Sequence, residues 1–261
     1  MSDIPGNEAV LSPLPDDAPI SFRTVSVGGI LSGSFGVFRQ AFGQVVLLTA
    51  LMRLPGLLLQ LANQGASPAA SMGNTGAQTL LNLVLGSVAT GAVTYSVFMR
   101  LRGRPASTLT ALGVAFKRLL PMIGVALMAG LFMTLATFLL IIPGIIVFCM
   151  LYVAVPAVVV ERTGVFGALS RSAALTKGYK WSIFGAMVVL LIVAMVLGGL
   201  AGGIGVVLHL FLPGSYAFIL VTWVVSMIVG GWMAVAAAVT YHDLRVEKDG
   251  VQIEDLARVF D

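Results

Sequence analysis

Residues 119–160 read LLPMIGVALMAGLFMTLATFLLIIPGIIVFCMLYVAVPAVVV, without a single Asp, Glu, Lys or Arg. A helix crosses the hydrocarbon core of a bilayer with about 20 residues, so this stretch is long enough for two crossings. Lys117 and Arg118 precede it, and Glu161 and Arg162 follow it. The stretch therefore predicts two transmembrane helices that leave and re-enter the same side of the membrane.

Two further stretches, 54–99 and 181–242, also lack charged residues. Continuous apolar runs favour helices, because the strands of a membrane barrel alternate apolar and polar residues. A hydrophobic content of 58% with only 10% charged residues is likewise typical of a helical membrane protein rather than a soluble domain. We predict spans at about 43–62, 79–99, 121–142 and 144–160, a fifth from Trp181 and a sixth ending at Tyr241, with turns at Pro143-Gly144 and at Leu212 to Ser215.

The basic residues predict the orientation of these spans. The segment 100–118 carries five Lys and Arg residues, and 161–180 carries four together with Glu161, whereas the alternate loops are uncharged. Because positive loops stay in the cytoplasm, both termini are expected there, in a bacterial inner membrane. We expect a disordered cytoplasmic tail at 1–20, a six-helix membrane domain at 21–245 and a cytoplasmic tail at 246–261. Orientation explains the basic charge, so we expect no nucleic-acid partner.

A weaker regularity precedes each pair of spans. The segments 27–42, 107–120 and 164–177 have apolar residues at helical spacing and basic residues near their ends. The fold class predicted is an all-α membrane protein, with six transmembrane helices as three helical hairpins, each preceded by an amphipathic cytoplasmic helix. This order indicates an internal repeat. Alternatively, unrelated hairpins that obey the same charge rule would look alike.

Arg53 is the one charged residue inside a predicted span, and no acidic residue is available in any span to neutralise it. One interpretation is a site for an anion or a lipid headgroup, formed with Asn82 and with carbonyls freed near Pro55-Gly56. The other is that Arg53 extends to the outer interface.

Other candidate residues follow from charge and size. Basic residues that flank the spans are predicted to contact lipid headgroups: Arg39, Arg102, Arg104, Lys117, Arg118, Arg171, Lys177 and Lys180. Glycines four residues apart in the fifth span predict helix packing: Gly198, Gly199, Gly202 and Gly203. The lone Cys149 permits no intrachain disulfide, and no spacing of Ser, His or acids indicates a catalytic, cofactor or metal site.

Residues 143–185, PGIIVFCMLYVAVPAVVVERTGVFGALSRSAALTKGYKWSIFG, resemble the glycerophosphoryl diester phosphodiesterase membrane-domain family and its uncharacterised bacterial inner-membrane relatives. The resemblance lies in a Pro-Gly turn, a Val-Val-Glu edge and an Ala-Leu-x-x-Ser-x-x-Leu-Thr-x-Gly helix followed by Trp. The segments 20–43 and 241–250 are similar to the entry and tail of that family. The resemblance implies a membrane module only, since the soluble phosphodiesterase barrel of some family members needs about 250 residues of its own.

The sequence favours a non-catalytic integral inner-membrane protein that interacts with lipids, or with a partner membrane protein as a scaffold or accessory subunit. The alternative is a small transporter or lipid-moving protein for an anionic amphiphile, with a path along Arg53 and the glycine-rich fifth span. An enzyme is not predicted, because the spans lack acid–base pairs. The oligomeric state is left open.

Overall fold

The computed structural model describes residues 25–63, 68–104, 106–162, 164–212 and 216–249, and the regular structure in these ranges is entirely α-helical. Its helices are α1 (Val27–Gln40), α2 (Phe42–Ala62), α3 (Pro68–Leu101), α4 (Thr108–Lys117), α5 (Leu119–Leu139), α6 (Ile141–Leu151), α7 (Ala154–Glu161), α8 (Val165–Thr176), α9 (Lys180–Phe211) and α10 (Ala217–Asp249). Segments long and apolar enough to cross a membrane are Phe42–Ala62, Gln78–Leu101, Leu119–Phe138, Ile142–Glu161, Lys180–Phe211 and Ala217–Asp249. The prediction of an all-α chain with six candidate spans is confirmed.

Three short helices, α1, α4 and α8, each come before a pair of candidate spans, at the positions expected from the sequence. Ser26 caps α1 by accepting a hydrogen bond from the Gly29 amide at 3.1 Å. Ser107 caps α4 in the same way through the Thr110 amide at 3.2 Å. Such hydroxyls satisfy amides that have no partner in the first turn, so the helices begin where these residues stand.

The turn between the third and fourth spans lies earlier than predicted. Helix α5 ends at Leu139, and Leu140 is extended, with φ −163° and ψ 146°. Pro143 then lies in the first turn of α6, where its missing amide hydrogen costs nothing. Placing the turn at Pro143-Gly144 was therefore wrong by three residues. Gly144 instead permits α5 and α6 to approach closely, because a side chain there would collide with Thr137.

The fourth span is interrupted between Leu151 and Ala154, which the sequence analysis did not predict. Pro156 lacks the amide hydrogen that a continuous helix would direct to the carbonyl four residues earlier. Beside the interruption, the Met150 carbonyl accepts a hydrogen bond from Ser172 Oγ at 2.7 Å. Helix α8 thus bonds to the backbone of the fourth span next to its interruption.

Several contacts bring one end of the bundle together. Arg100 Nη1 donates to the Gln40 carbonyl at 2.6 Å, and Gln44 Nε2 donates to the Ala106 carbonyl at 2.8 Å. Tyr241 donates to Glu161 Oε1 at 2.6 Å. The starts of α2, α5 and α9 therefore lie with the ends of α3, α7 and α10 and with the short helices. We call this the charged end, because the described Lys and Arg residues other than Arg53 lie here or beside it.

The buried core lies toward the charged end. On α10 the fully buried side chains include Val235, Ala238, Tyr241 and Leu244. On α9 burial is concentrated between Ile183 and Leu190, and most large apolar side chains farther along are exposed. Helix α10 continues to Asp249, so residues 246–249, predicted as a tail, are helical. The predicted tail at 1–20 lies outside the described residues.

Candidate functional site

Arg53 lies on α2 and reaches toward α10. The Arg53 carbonyl accepts a hydrogen bond from Trp223 Nε1 at 3.4 Å, whereas its guanidinium lies against Gly230. One turn earlier on α2, Thr49 lies against Gly231. The side chain therefore extends along α10 toward the charged end, as the tilt of Cβ toward a helix N-terminus favours. Extension toward the opposite interface, the second interpretation above, is not the conformation observed.

Two open cavities adjoin at Arg53. One, of about 230 Å³, lies between α2, α3 and α10 and has mainly polar walls: Arg53, Gly56, Leu57, Gln60, Gln78, Asn82, Thr222, Trp223 and Ser226. The other, of about 290 Å³, lies between α2, α9 and α10 and has mainly apolar walls: Arg53, Ala194, Gly198, Ala201, Thr222, Val225, Ser226, Val229, Gly230 and Met233. The structure thus brings the predicted pair Arg53 and Asn82 to one cavity.

The guanidinium of Arg53 has no partner among the residues that the structure describes, either by hydrogen bond or by ion pair. The described acids are Glu161, Asp243, Glu247 and Asp249, all at the charged end. Glu161 already accepts hydrogen bonds from Tyr241 and Arg171. A bare guanidinium within a span is costly, because hydrocarbon does not solvate its charge. The arrangement therefore leaves Arg53 free for an anion or water.

Two glycines provide the room at this site. A Cβ at Gly230 would lie 2.8 Å from Arg53 Nη2, and a Cβ at Gly56 would lie 2.9 Å from Asn82 Oδ1. Separations below about 3 Å do not occur for real Cβ atoms, so a side chain at either position would displace its polar neighbour. Pro55-Gly56 was expected from the sequence to break the helix and free carbonyls, but α2 continues through both residues to Ala62.

The predicted lipid-contact residues fall into different environments. Arg118 donates to the carbonyls of Val158 and Val159, at 3.1 and 2.6 Å, and so caps α7. Arg171 pairs with Glu161 and Asp249. Among the described residues, five of these side chains make no hydrogen bond or ion pair and remain available to lipid: Arg39, Arg104, Lys117, Lys177 and Lys180. Arg102, the eighth residue, lies partly buried at the charged end.

Large apolar side chains are exposed on or beside the same short helices. Phe35 is exposed on α1, and Leu109 and Phe116 are exposed on α4. Phe166 on α8 is 73% exposed, and Trp181, which follows it at the start of α9, is 82% exposed. On α1 and α4 an exposed apolar residue thus lies within a few residues of a Lys or Arg without a partner among the described residues. Beside α8 the same holds for Trp181, next to Lys180, but not for Phe166.

A polar cluster around Glu161 was missed by the sequence analysis. Glu161 Oε1 accepts hydrogen bonds from Arg171 Nε at 2.8 Å and from Tyr241, which joins α7, α8 and α10. Burial lowers the pKa of Arg171, but its hydrogen bonds and charge pairing with Glu161 and Asp249 outweigh this and raise the pKa above its usual value. The only sequence signal was the quoted motif, which contains Glu161 and Arg171 without showing that they meet.

The four glycines predicted to pack helices, Gly198, Gly199, Gly202 and Gly203, have no close neighbour on another helix of the described chain. A methyl group placed at any of them would meet no atom within 4 Å. The glycines of this helix that do approach a neighbour closely are Gly185, against Val27 of α1, and Gly205, against Phe218 of α10. The prediction that these four glycines pack helices stays a prediction.

In the described ranges, no group of three or more His, Cys, Asp and Glu residues is arranged to hold a metal ion. Residues 75–244 match the family model described as Domain of unknown function (DUF7847). The matched range contains Asn82, the cavity walls on α9 and α10, and the Glu161 cluster, whereas Arg53 precedes it. No curated protein and no solved structure matches the chain.

Proposed function

The chain belongs to the family described as Domain of unknown function (DUF7847), and we propose that it is a non-catalytic, multi-pass protein of the bacterial inner membrane that interacts with lipids. In this proposal α1, α4 and α8 are amphipathic helices on the cytoplasmic leaflet, each followed by one helical hairpin. The observation that carries it is exposed apolar surface on α1, α4, α8 and the start of α9, together with Lys and Arg residues at the ends of these helices that have no partner among the described residues: Arg39, Lys117, Lys177 and Lys180.

The chemistry of an anionic leaflet fits this surface. Apolar side chains such as Leu109 and Phe166 would enter the boundary between headgroups and acyl chains. Lys and Arg residues beside them would lie near lipid phosphates, where each contributes about 1 kcal/mol. The same surface also suits a scaffold or accessory subunit that holds a partner membrane protein. The resemblance to glycerophosphoryl diester phosphodiesterase membrane domains supports a membrane role without an active site.

A change of lipid charge tests the proposal. We would reconstitute the chain in nanodiscs of phosphatidylcholine alone or with phosphatidylglycerol and measure the midpoint of thermal unfolding. The wild type should be more stable with phosphatidylglycerol. The triple variant Arg39→Gln, Lys117→Gln, Lys177→Gln should lose most of that gain, by about 3 kcal/mol if each charge acts independently.

The matched control keeps the charge at the same positions: Arg39→Lys, Lys117→Arg, Lys177→Arg. It should retain the gain, and in phosphatidylcholine alone both variants should unfold near the wild-type midpoint. If the Gln variant still gains as much stability from phosphatidylglycerol as the wild type, the lipid-surface proposal fails.

A second candidate function is the movement of an anionic amphiphile through the bundle. The observation that favours it is the pair of cavities that adjoin at Arg53. Vesicles that contain the chain would then exchange a fluorescent anionic lipid between leaflets faster than empty vesicles. An Arg53→Gln variant should lose that acceleration, and equal rates with and without the protein would exclude this candidate.

A further inference from the structure

The unpaired Arg53 guanidinium and the two cavities beside it form the least explained part of the molecule. Arg53, Thr222 and Ser226 line both cavities, so the two openings share one polar boundary. Thr222 and Ser226 donate their hydroxyl hydrogens to carbonyls of α10, to Phe218 and to Trp223 respectively, both at 2.8 Å. Their oxygens can still accept hydrogen bonds, whereas Arg53 is the cationic donor at this boundary.

The two cavities differ in the chemistry of their walls. Beyond the shared residues, the cavity toward α3 offers the amides of Gln60, Gln78 and Asn82, which can donate to oxygen atoms. The cavity toward α9 offers Ala194, Ala201, Val225, Val229 and Met233, which are apolar. A ligand that fills both would carry a negative, oxygen-rich group joined to a hydrocarbon portion.

The charge of the ligand follows from Arg53. A guanidinium donates through two parallel N–H groups to a phosphate or carboxylate, and phosphate offers more acceptors for the amides around it. Within a span, such an anion would also remove the cost of the bare cation. Gly230 leaves room for the guanidinium, because a side chain there would lie 2.8 Å from Nη2.

We call the two cavities that meet at Arg53 the Arg53 cleft. We propose that this cleft binds the phosphate group of an anionic amphiphile, with the polar headgroup toward Asn82 and an acyl chain between α9 and α10. This site goes beyond the surface contacts of α1, α4 and α8 and does not depend on them. The proposed site requires only that the amphiphile binds, so it does not depend on whether the protein also moves lipid between leaflets. The phosphate could come from a phospholipid or from a soluble phosphate compound, and the test separates the two sources.

The test measures binding in detergent through the rise of the thermal unfolding midpoint with ligand concentration, since a ligand of the folded state stabilises it. The probes are dioctanoyl phosphatidylglycerol, uncharged dioctanoylglycerol, sn-glycerol 3-phosphate and inorganic phosphate. We expect phosphatidylglycerol to bind at least tenfold more tightly than each of the other three. Equal affinity for inorganic phosphate would assign the site to a soluble phosphate and overturn the amphiphile.

Variants of the cleft decide whether Arg53 carries the binding. Arg53→Gln removes the charge and should weaken phosphatidylglycerol binding at least tenfold. Gly230→Ala keeps the charge but displaces the guanidinium, and should weaken binding as well. The control Gly202→Ala adds the same methyl where no atom lies within 4 Å, and should bind as the wild type does.

The surface variant Arg39→Gln, Lys117→Gln, Lys177→Gln separates this site from the proposed function, because it leaves the cleft intact. It should bind dioctanoyl phosphatidylglycerol with wild-type affinity even if it loses its response to anionic nanodiscs. Wild-type affinity in Arg53→Gln would overturn the site, whatever the surface variant does.

Discussion

Ser172 shows how a single hydroxyl supports an interrupted span. Its side chain is fully buried and donates to the Met150 carbonyl at 2.7 Å, while Thr176 lies at 3.4 Å from the same oxygen. Met150 lies directly before the interruption between α6 and α7. Ser172 therefore ties α8 to the backbone of the fourth span at this point.

We expect Ser172→Ala to lower the free energy of unfolding by about 1–3 kcal/mol, because the Met150 carbonyl would lose its bond from Ser172 and the Thr176 hydroxyl lies farther from it, at 3.4 Å. Thermal and denaturant unfolding in detergent would measure the change. The control is Ser170→Ala on the exposed side of the same helix, which should change stability by less than about 0.5 kcal/mol. Equal effects of the two substitutions would contradict this role of Ser172.

Arg53 marks the limit of sequence reasoning at this scale. Its position could be predicted as a candidate site, because a lone charge inside an apolar run is costly wherever the helix lies. Its direction could not, since the guanidinium lies against Gly230, far along the chain. Asn82 was predicted beside Arg53 and lines the same cavity, whereas Gln60 and Gln78 gave no signal, because polar residues of this kind are common near span ends.

Elements at the charged end are joined through Glu161. It ends α7, accepts from Arg171 of α8 and from Tyr241 of α10, and Arg171 also pairs with Asp249 near the end of α10. These groups are only partly exposed, so the pairing is screened less than a surface salt bridge. The cluster therefore couples the fourth span to the last helix.

A double-mutant cycle tests this coupling. Glu161→Gln and Arg171→Gln should each destabilise the protein, and the double variant should be more stable than the sum of the single effects predicts, by about 0.5–3 kcal/mol. As a control, Arg171→Gln should combine additively with Asp243→Asn, since Asp243 is paired with His242 instead. Unfolding midpoints and denaturant dependence in detergent supply the free energies. Strict additivity for Glu161 and Arg171 would mean that their contact contributes nothing.

Helix positions could be predicted from the sequence more reliably than helix boundaries. Apolar runs of span length and apolar residues at helical spacing are local signals, and both placed elements well. The turn at Leu140 and the interruption before Ala154 depend on where Pro143 and Pro156 fall relative to the helix ends, because proline has no amide hydrogen to donate. A proline suits either the start of a helix or its interruption, so its presence alone does not locate the turn.

At the scale of the whole molecule, the tightly buried core and the charged residues lie toward the same end. The tightly buried residues of α9 and α10 lie toward the charged end, and the exposed apolar residues dominate the far half of α9. A bilayer would cover that far half, because lipid chains solvate exposed Leu, Val and Ile side chains. The helices are then free to separate around Arg53 without exposing apolar surface to water, which explains how cavities persist between α2, α9 and α10.

The orientation of the molecule gives the last prediction. The charged end should face the cytoplasm, since the segments 100–118 and 161–180 hold most of the basic residues and such loops resist translocation. We would introduce single cysteines by Arg104→Cys, Glu247→Cys or His209→Cys in a Cys149→Ala background; all three sites are exposed. A membrane-impermeant maleimide should label His209→Cys from the periplasmic side, after the outer membrane is made permeable. It should label the other two only after the inner membrane is broken. Labelling of Arg104→Cys and Glu247→Cys with the inner membrane intact would reverse the orientation, and α1, α4 and α8 would then face the opposite leaflet.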